Sequence, residues 1–205
     1  MTSPVLPLDA RARDGCADSL PVDLGRATVA AADLLSALGL NMESEHRQDT
    51  PARMARALGE MLKPPSFEPT SFDNASGYDE LVVVDRIPFF SLCEHHVLPF
   101  IGDATIAYVP STRIVGLSKL AWVVQLYARQ LQTQEAMTQQ IADWLIEQLQ
   151  PKGVGVRLRA EHLCMSLRGA RAIGAVTSTS TSRGVLADDP ARREEWQRRL
   201  AIASS

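Results

Sequence analysis

In GLSKLAWVVQLYARQLQ, Leu120, Val123, Val124, Tyr127, Ala128 and Leu131 fall at i, i+3, i+4, i+7, i+8 and i+11. That spacing is one apolar stripe along a helix, and a stripe this continuous must lie against an apolar surface. A second helix, from about Gln134 to Leu149, carries Met137, Ile141, Leu145 and Leu149 and stops before Pro151. On both sides of the pair the apolar period changes to two. LVVVDRIPFF and DATIAYVP precede it as two strands, and GVGVRLRAEHLCMSLRG and AIGAVTSTSTSRG follow it as two more. Two strands, two helices and two strands describe an α+β domain in which the helix pair covers an antiparallel sheet built from hairpins.

The sequence on either side of this block is organised differently. Residues 1–20 mix Pro, Ser, Asp and Arg without periodicity and are expected to form a flexible arm. Residues 21–65 form a helical region. VDLGRATVAAADLLSALGL is its first helix. A second is expected to start with Thr50 as cap and Pro51 as first helical residue, to carry Met54, Leu58 and Met61 or Leu62 as its stripe, and to end at Pro64-Pro65. The remaining domain, 66–205, opens with a Pro- and Gly-containing loop over 66–80 and closes with a short charged helix after Asp189-Pro190.

Composition removes several classes of function. A chain of 205 residues, 45% hydrophobic and 22% charged, buries a core of ordinary size. A net charge of −3 gives no reason for nucleic acid or an anionic membrane to be a partner. No apolar run approaches the ~20 residues of a membrane span. MTSPVLPLDARARDGC has neither the basic start nor the apolar core of a signal peptide, so a cytoplasmic location with reduced thiols is expected. Of the three cysteines, Cys16 sits in the polar arm and is expected to be a bystander.

The other two are not scattered. In SLCEHHVLPF, Cys93 and His96 are three residues apart, within reach of one ion across a tight turn, and His95 lies between them. In AEHLCM, His162 and Cys164 differ by two, which on a strand puts both on one face. All cysteines but Cys16 and all histidines but His46 therefore fall into two short segments. A lone Cys or His on a strand is usually core. Five together point to a metal, with thiolate and imidazole the donors that suit zinc. Spacing leaves two versions open: a closed structural site of Cys93, His96, His162 and Cys164, or a catalytic site with three ligands and two free histidines.

With DTPARMA before them, CEHHVLPFIGDATIAYVP, GLSKLAWVVQLYARQLQTQEAMTQQIA and AEHLCMSLRG resemble the signature segments of the GTP cyclohydrolase I family over about residues 25–200. The resemblance implies the tunnelling fold, whose ββααββ units close an antiparallel barrel on oligomerisation, with a homodecamer holding active sites between subunits. It implies hydrolytic opening of the guanine imidazole ring of GTP at C8, with release of formate and formation of 7,8-dihydroneopterin triphosphate for folate or another pterin pathway. It assigns Zn2+ to Cys93, His96 and Cys164 with one position left open. His162 becomes the proton donor to N7, and His95 a second acid–base group. Guanine would be held by Glu135 and Gln134, and the triphosphate by Ser118, Lys119, Arg168, Arg53 and Arg56.

Two positions depart from that pattern. The family usually carries an arginine four residues after the serine of Ser-Lys-x-x-Arg; here SKLAW puts Trp122 there, three residues after Lys119 and off the apolar stripe. Ala136 replaces the arginine that commonly follows the guanine-binding glutamate. A missing charged donor costs about 1.5–3 kcal/mol of phosphate binding. Two alternatives follow: a paralogue acting on GMP or GDP, and a non-catalytic zinc-binding scaffold.

Overall fold

The computed structural model describes residues 21–202, in two compact units divided between Lys63 and Pro64. The first contains α1 (Leu24–Ala37) and α2 (Thr50–Met61), packed against each other. Asp23 caps α1 by accepting from the Arg26 amide at 2.9 Å. At α2 the expected start is displaced by one residue. Asp49 occupies the cap position, Thr50 is the first helical residue and Pro51 the second. Proline suits either of the first two positions, because neither needs its N–H for the helix.

The second unit contains, in chain order, β1 (Ser71–Asp73), β2 (Val82–Cys93), β3 (Pro99–Val109), β4 (Arg113–Val115), α3 (Leu117–Ala128), β5 (Leu131–Gln132), α4 (Gln134–Leu149), β6 (Gly153–His162), α5 (Leu163–Ser166), β7 (Val176–Gly184), α6 (Val185–Asp188) and α7 (Pro190–Ile202). Without the short elements this is the expected ββααββ order followed by one helix. The main sheet runs β5-β2-β3-β6-β7 and is antiparallel, except that β5 lies parallel to the end of β2.

Two details differ from the sequence reading. Residues 66–80 are not all loop, because β1 pairs with β4. Arg113 joins the two strands: its Nε donates to Ser71 Oγ at 2.8 Å, and its Nη1 donates to Asp73 Oδ1 at 3.1 Å. Three residues are too few to display an alternation. The apolar stripe of α3 also ends at Ala128, and Leu131 stands in β5, exposed.

The helix stripes bury as their spacing demands. Leu120, Val123, Val124 and Tyr127 of α3, with Met137, Ile141 and Leu145 of α4, form one cluster with Phe89, Ile106, Val156 and Leu158 from the sheet. A second cluster joins Leu81, Ala107, Val109, Leu186 and Trp196. Covered by both, β6 is buried at every position from Gly153 to Leu158, which explains why its small and branched residues run together there. Gly155 is where α7 comes closest: a Cβ there would lie 2.6 Å from the Trp196 ring. No helix among the described residues is long and apolar enough to cross a membrane.

Gly155→Ala should therefore force Trp196 out of place and lower stability by about 1–3 kcal/mol, read as a lower urea or thermal midpoint. An unchanged midpoint would show that α7 does not depend on this contact.

Candidate metal centre

The strand register brings the two Cys/His segments to one end of the sheet. β2 ends at Cys93 and β6 at His162, with β3 between them. Phe100, the second residue of β3, lies opposite Ser91 on one side and His162 on the other. β5 then pairs Gln132 with Cys93, which carries the start of α4, Gln134 and Glu135, to the same end.

The turn after β2 is tight. The Cys93 amide donates to Leu98 O at 2.9 Å, and the Val97 amide donates to Cys93 O at 2.8 Å. Closing it puts Val97 at φ +55°, a left-handed conformation that is costly for a β-branched residue. The turn folds both histidines back on the cysteine: Nδ1 of His95 is 3.8 Å from Cys93 Sγ, and Nδ1 of His96 is 3.9 Å from it. His95 is otherwise exposed, with Nε2 3.7 Å from the Glu94 carboxylate.

The second segment is arranged differently from the expectation of two residues on one strand face. β6 ends at His162, and Cys164 belongs to the one-turn helix α5. Glu161 fastens that turn back on the strand. Its Oε1 accepts from Ser166 Oγ at 2.5 Å and from the Gly174 amide at 3.3 Å. These bonds hold the Glu161 carboxyl below the usual carboxylate range, Ser166 contributing most.

Cys93, His96 and Cys164 now converge, with one donor atom from each lying within 4.8 Å of the others. Cys93 is buried, Cys164 half-buried and His96 exposed, so the cluster opens on one side. Burial pushes the Cys164 thiol up, and the neighbouring Cys93 sulfur pushes it further in the same direction. Arg168 acts oppositely on Cys164, which places this predicted phosphate ligand within electrostatic reach of the centre. Burial and the adjacent sulfur both disfavour the Cys164 thiolate, a cost that a bound cation would relieve. The donor set fits zinc: tetrahedral bonds of about 2.0–2.3 Å hold ligand atoms about 3.5–3.8 Å apart, close to the 3.9 Å between Cys93 Sγ and His96 Nδ1.

His162 is not in the triangle. Its ring stacks on Phe100, with centroids 4.7 Å apart and planes 2° from parallel, and its Nε2 is 2.9 Å from Gln134 Oε1. Burial pushes this imidazole below its ordinary value, and Glu135 pulls it partly back. Glu135 itself is exposed in the first turn of α4, whereas Gln134 is buried. Neither Phe100 nor the Glu161–Ser166 clasp stands out in the sequence: the first depends on cross-strand register and the second on where the chain turns after β6.

The predicted phosphate ligands are spread more widely. Ser118 and Lys119 occupy the first turn of α3, where no side chain caps the helix. Arg53 and Arg56 are exposed on α2, in the other unit, with Arg53 Nη2 3.9 Å from Asp49. Trp122 is 43% exposed and stacks on Phe67 at 6.2 Å and 18°. Cys16 lies outside the described residues.

Fold and centre together define an α+β protein with a Cys-His-Cys metal-competent cluster at the end of a ββααββ sheet. The model of the family described as GTP cyclohydrolase I matches residues 27–201, and the chain belongs to that family. It is 46% identical over 162 residues to GTP cyclohydrolase 1 of Aquifex aeolicus (strain VF5), covering 79% of this chain and 88% of that one. It is 47% identical over 180 residues to GTP cyclohydrolase 1 of Mycobacterium avium (strain 104), covering 84% and 87%. The crystal structure of the archaeosine synthase QueF-Like in the apo form aligns with 51% of this chain and 93% of its own, at a TM-score of 0.43 and 14% identity.

Replacing Cys164 with Ala should abolish stoichiometric zinc while leaving the far-ultraviolet circular dichroism spectrum intact. Metal analysis finding zinc retained in both Cys164→Ala and Cys93→Ala would exclude the cluster as its site. Val97→Asn, which tolerates the left-handed turn, should keep the zinc and raise stability by roughly 0.5–1 kcal/mol; a fall in the unfolding midpoint would contradict the strain at this position.

Proposed function

We propose that this chain is a zinc-dependent hydrolase that opens the imidazole ring of GTP at C8, releasing formate and forming 7,8-dihydroneopterin triphosphate. The observation that carries the reading is the Cys93–His96–Cys164 triangle with His162 held beside it, in a chain of the GTP cyclohydrolase I family. Cys93, His96 and Cys164 would hold the ion, which supplies Lewis acidity at the reacting centre.

The chain's own groups do the rest. His162 is suited to deliver a proton to N7 of the purine from its charged form and then recover it; burial opposes that form, and Glu135 is close enough to favour it. His95, exposed at the mouth of the turn, serves as the second acid–base group during ring opening and at the ribose oxygen. The Glu135 carboxylate accepts from the guanine N1–H and 2-amino group. Lys119 and Arg168 take the phosphates, with Ser118 donating from the first turn of α3, the helix end whose dipole favours an anion. Arg53 and Arg56 contribute from the helical region of another subunit. The active assembly is a cytoplasmic homo-oligomer, a decamer by family likeness, in which the polar β7 edge continues the sheet into a neighbour and closes a barrel.

Trp122 supports a second reading, in which a guanine nucleotide with fewer phosphates is preferred. Its ring leans on Phe67 and supplies no charge where the family places an arginine.

Formate release measured across GTP, GDP and GMP, with zinc content determined on the same sample, separates these readings. GTP should be the best substrate; a strong preference for GMP would overturn the first reading in favour of the second. His162→Ala should retain zinc and lose about 10²–10⁴-fold in rate, whereas full activity in that variant would refute its role. Trp122→Arg should tighten GTP binding by about tenfold or more, and an unchanged KM would remove Trp122 from the phosphate side.

A further inference from the structure

Gln134 stands beside the centre, yet its side chain is only 1% exposed and both ends of its amide are engaged. Nε2 has three acceptors in reach for its two hydrogens, Leu158 O at 3.2 Å, Thr177 O at 3.1 Å and Thr179 Oγ1 at 3.1 Å. Two of these acceptors are backbone carbonyls, which cannot donate. A flipped amide would set oxygen against oxygen, so this end must be the NH2 group. The hydroxyls beside it also have a fixed direction. Thr138 Oγ1 donates to Gln134 O at 2.7 Å, which uses its only hydrogen. Thr179 must therefore donate across the 2.7 Å contact to Thr138, leaving a lone pair of Thr179 Oγ1 to accept from Gln134.

With its nitrogen committed, the amide can present only its oxygen to His162 Nε2, 2.9 Å away. An amide oxygen accepts and never donates, so the hydrogen between them belongs to the ring. Phe100, fully buried, lies flat against that ring and keeps it from turning over. We propose that Gln134 is a positioning residue that fixes His162 as its Nε2–H tautomer, so that Nδ1 is the nitrogen offered to a reactant. This departs from the guanine contact expected of Gln134: an amide with both ends engaged and only 1% exposed is not presented to a purine, and Glu135 alone keeps that role. Second-sphere hydrogen bonds of this kind set which ring nitrogen works.

The effect on turnover rests on the reading of the centre as a GTP-opening site; the tautomer does not. Two-bond ¹H–¹⁵N correlation spectra of zinc-loaded, ¹⁵N-histidine-labelled protein, assigned by loss of the signal in His162→Gln, should show neutral His162 protonated at Nε2. Gln134→Met, of similar length but without the acceptor, should give mixed tautomers at unchanged zinc content. It should lower kcat for formate release from GTP about 10–100-fold and move KM less than about threefold. A wild-type His162 protonated at Nδ1 would overturn the proposal, as would a Gln134→Met enzyme with a raised KM and intact kcat, the signature of a lost purine contact. Should that variant not fold, the wild-type spectrum still decides. A protein with the Nε2–H ring that releases no formate from any guanine nucleotide would refute the proposed activity and support the tautomer assignment.

Discussion

β3 is hydrogen-bonded along both edges, and its register against β2 and β6 determines where each group of the candidate centre comes to rest. Phe100 faces Ser91 on one side and His162 on the other. A slip of one residue against β6 would turn His162 to the opposite face of the sheet and part it from both Phe100 and Gln134. Gly102 helps to prevent that slip. It lies opposite Ala160, and a Cβ there would stand 1.7 Å from the Arg159 carbonyl oxygen, so the two strands approach at a distance that only glycine allows. The same register aligns Cys93 with the end of β6, which is why two ligand segments about seventy residues apart in sequence share one site.

Against this rigid frame, the ligands themselves are carried by short, separately secured turns. One is closed by left-handed Val97 and the other is fastened by Glu161 through Ser166 and Gly174. Such an arrangement suits a centre that must be exact in chemistry yet open to a substrate: Cys93 is sealed in the core while His96 faces outward. It also separates two duties among similar residues. Cys93, His96 and Cys164 face one another with no carboxylate in the group, whereas His162 is held to the side by a stacked phenylalanine and an amide. Three converging donors and a separately anchored histidine are what the proposed catalytic reading requires.

Much of this was readable from the residues. The 3.6-residue stripe of α3 and the regular apolar spacing of α4 identify both helices, because burial on one face imposes a period on any sequence long enough to show it. The four long strands are legible from their change of period and their extended apolar runs, and β6 is covered on both faces from Gly153 to Leu158. Rarity elsewhere in the chain singles out Cys93, His95, His96, His162 and Cys164 together; the family resemblance alone separates three of them as ligands. Short-range detail was less legible. β1 and β4, at three residues each, display no period, and Cys164 follows a strand whose alternation gives no sign that it stops at His162. Gln134 looked like a polar residue at a helix start, available to a ligand; its burial arises from Leu158, Thr177 and Thr179, which are distant in sequence and meet it only through packing of α4 on β6 and β7. Trp122 could be read as a missing charge, but its stacking on Phe67 could not.

The centre's chemistry depends on sulfur, and zinc K-edge X-ray absorption on the zinc-loaded wild-type protein addresses it directly. Two sulfur scatterers at about 2.3 Å, completed by nitrogen or oxygen at about 2.0–2.1 Å, are the expected result. A shell of nitrogen and oxygen alone would contradict it, since the ion would then be bound somewhere other than between Cys93 and Cys164.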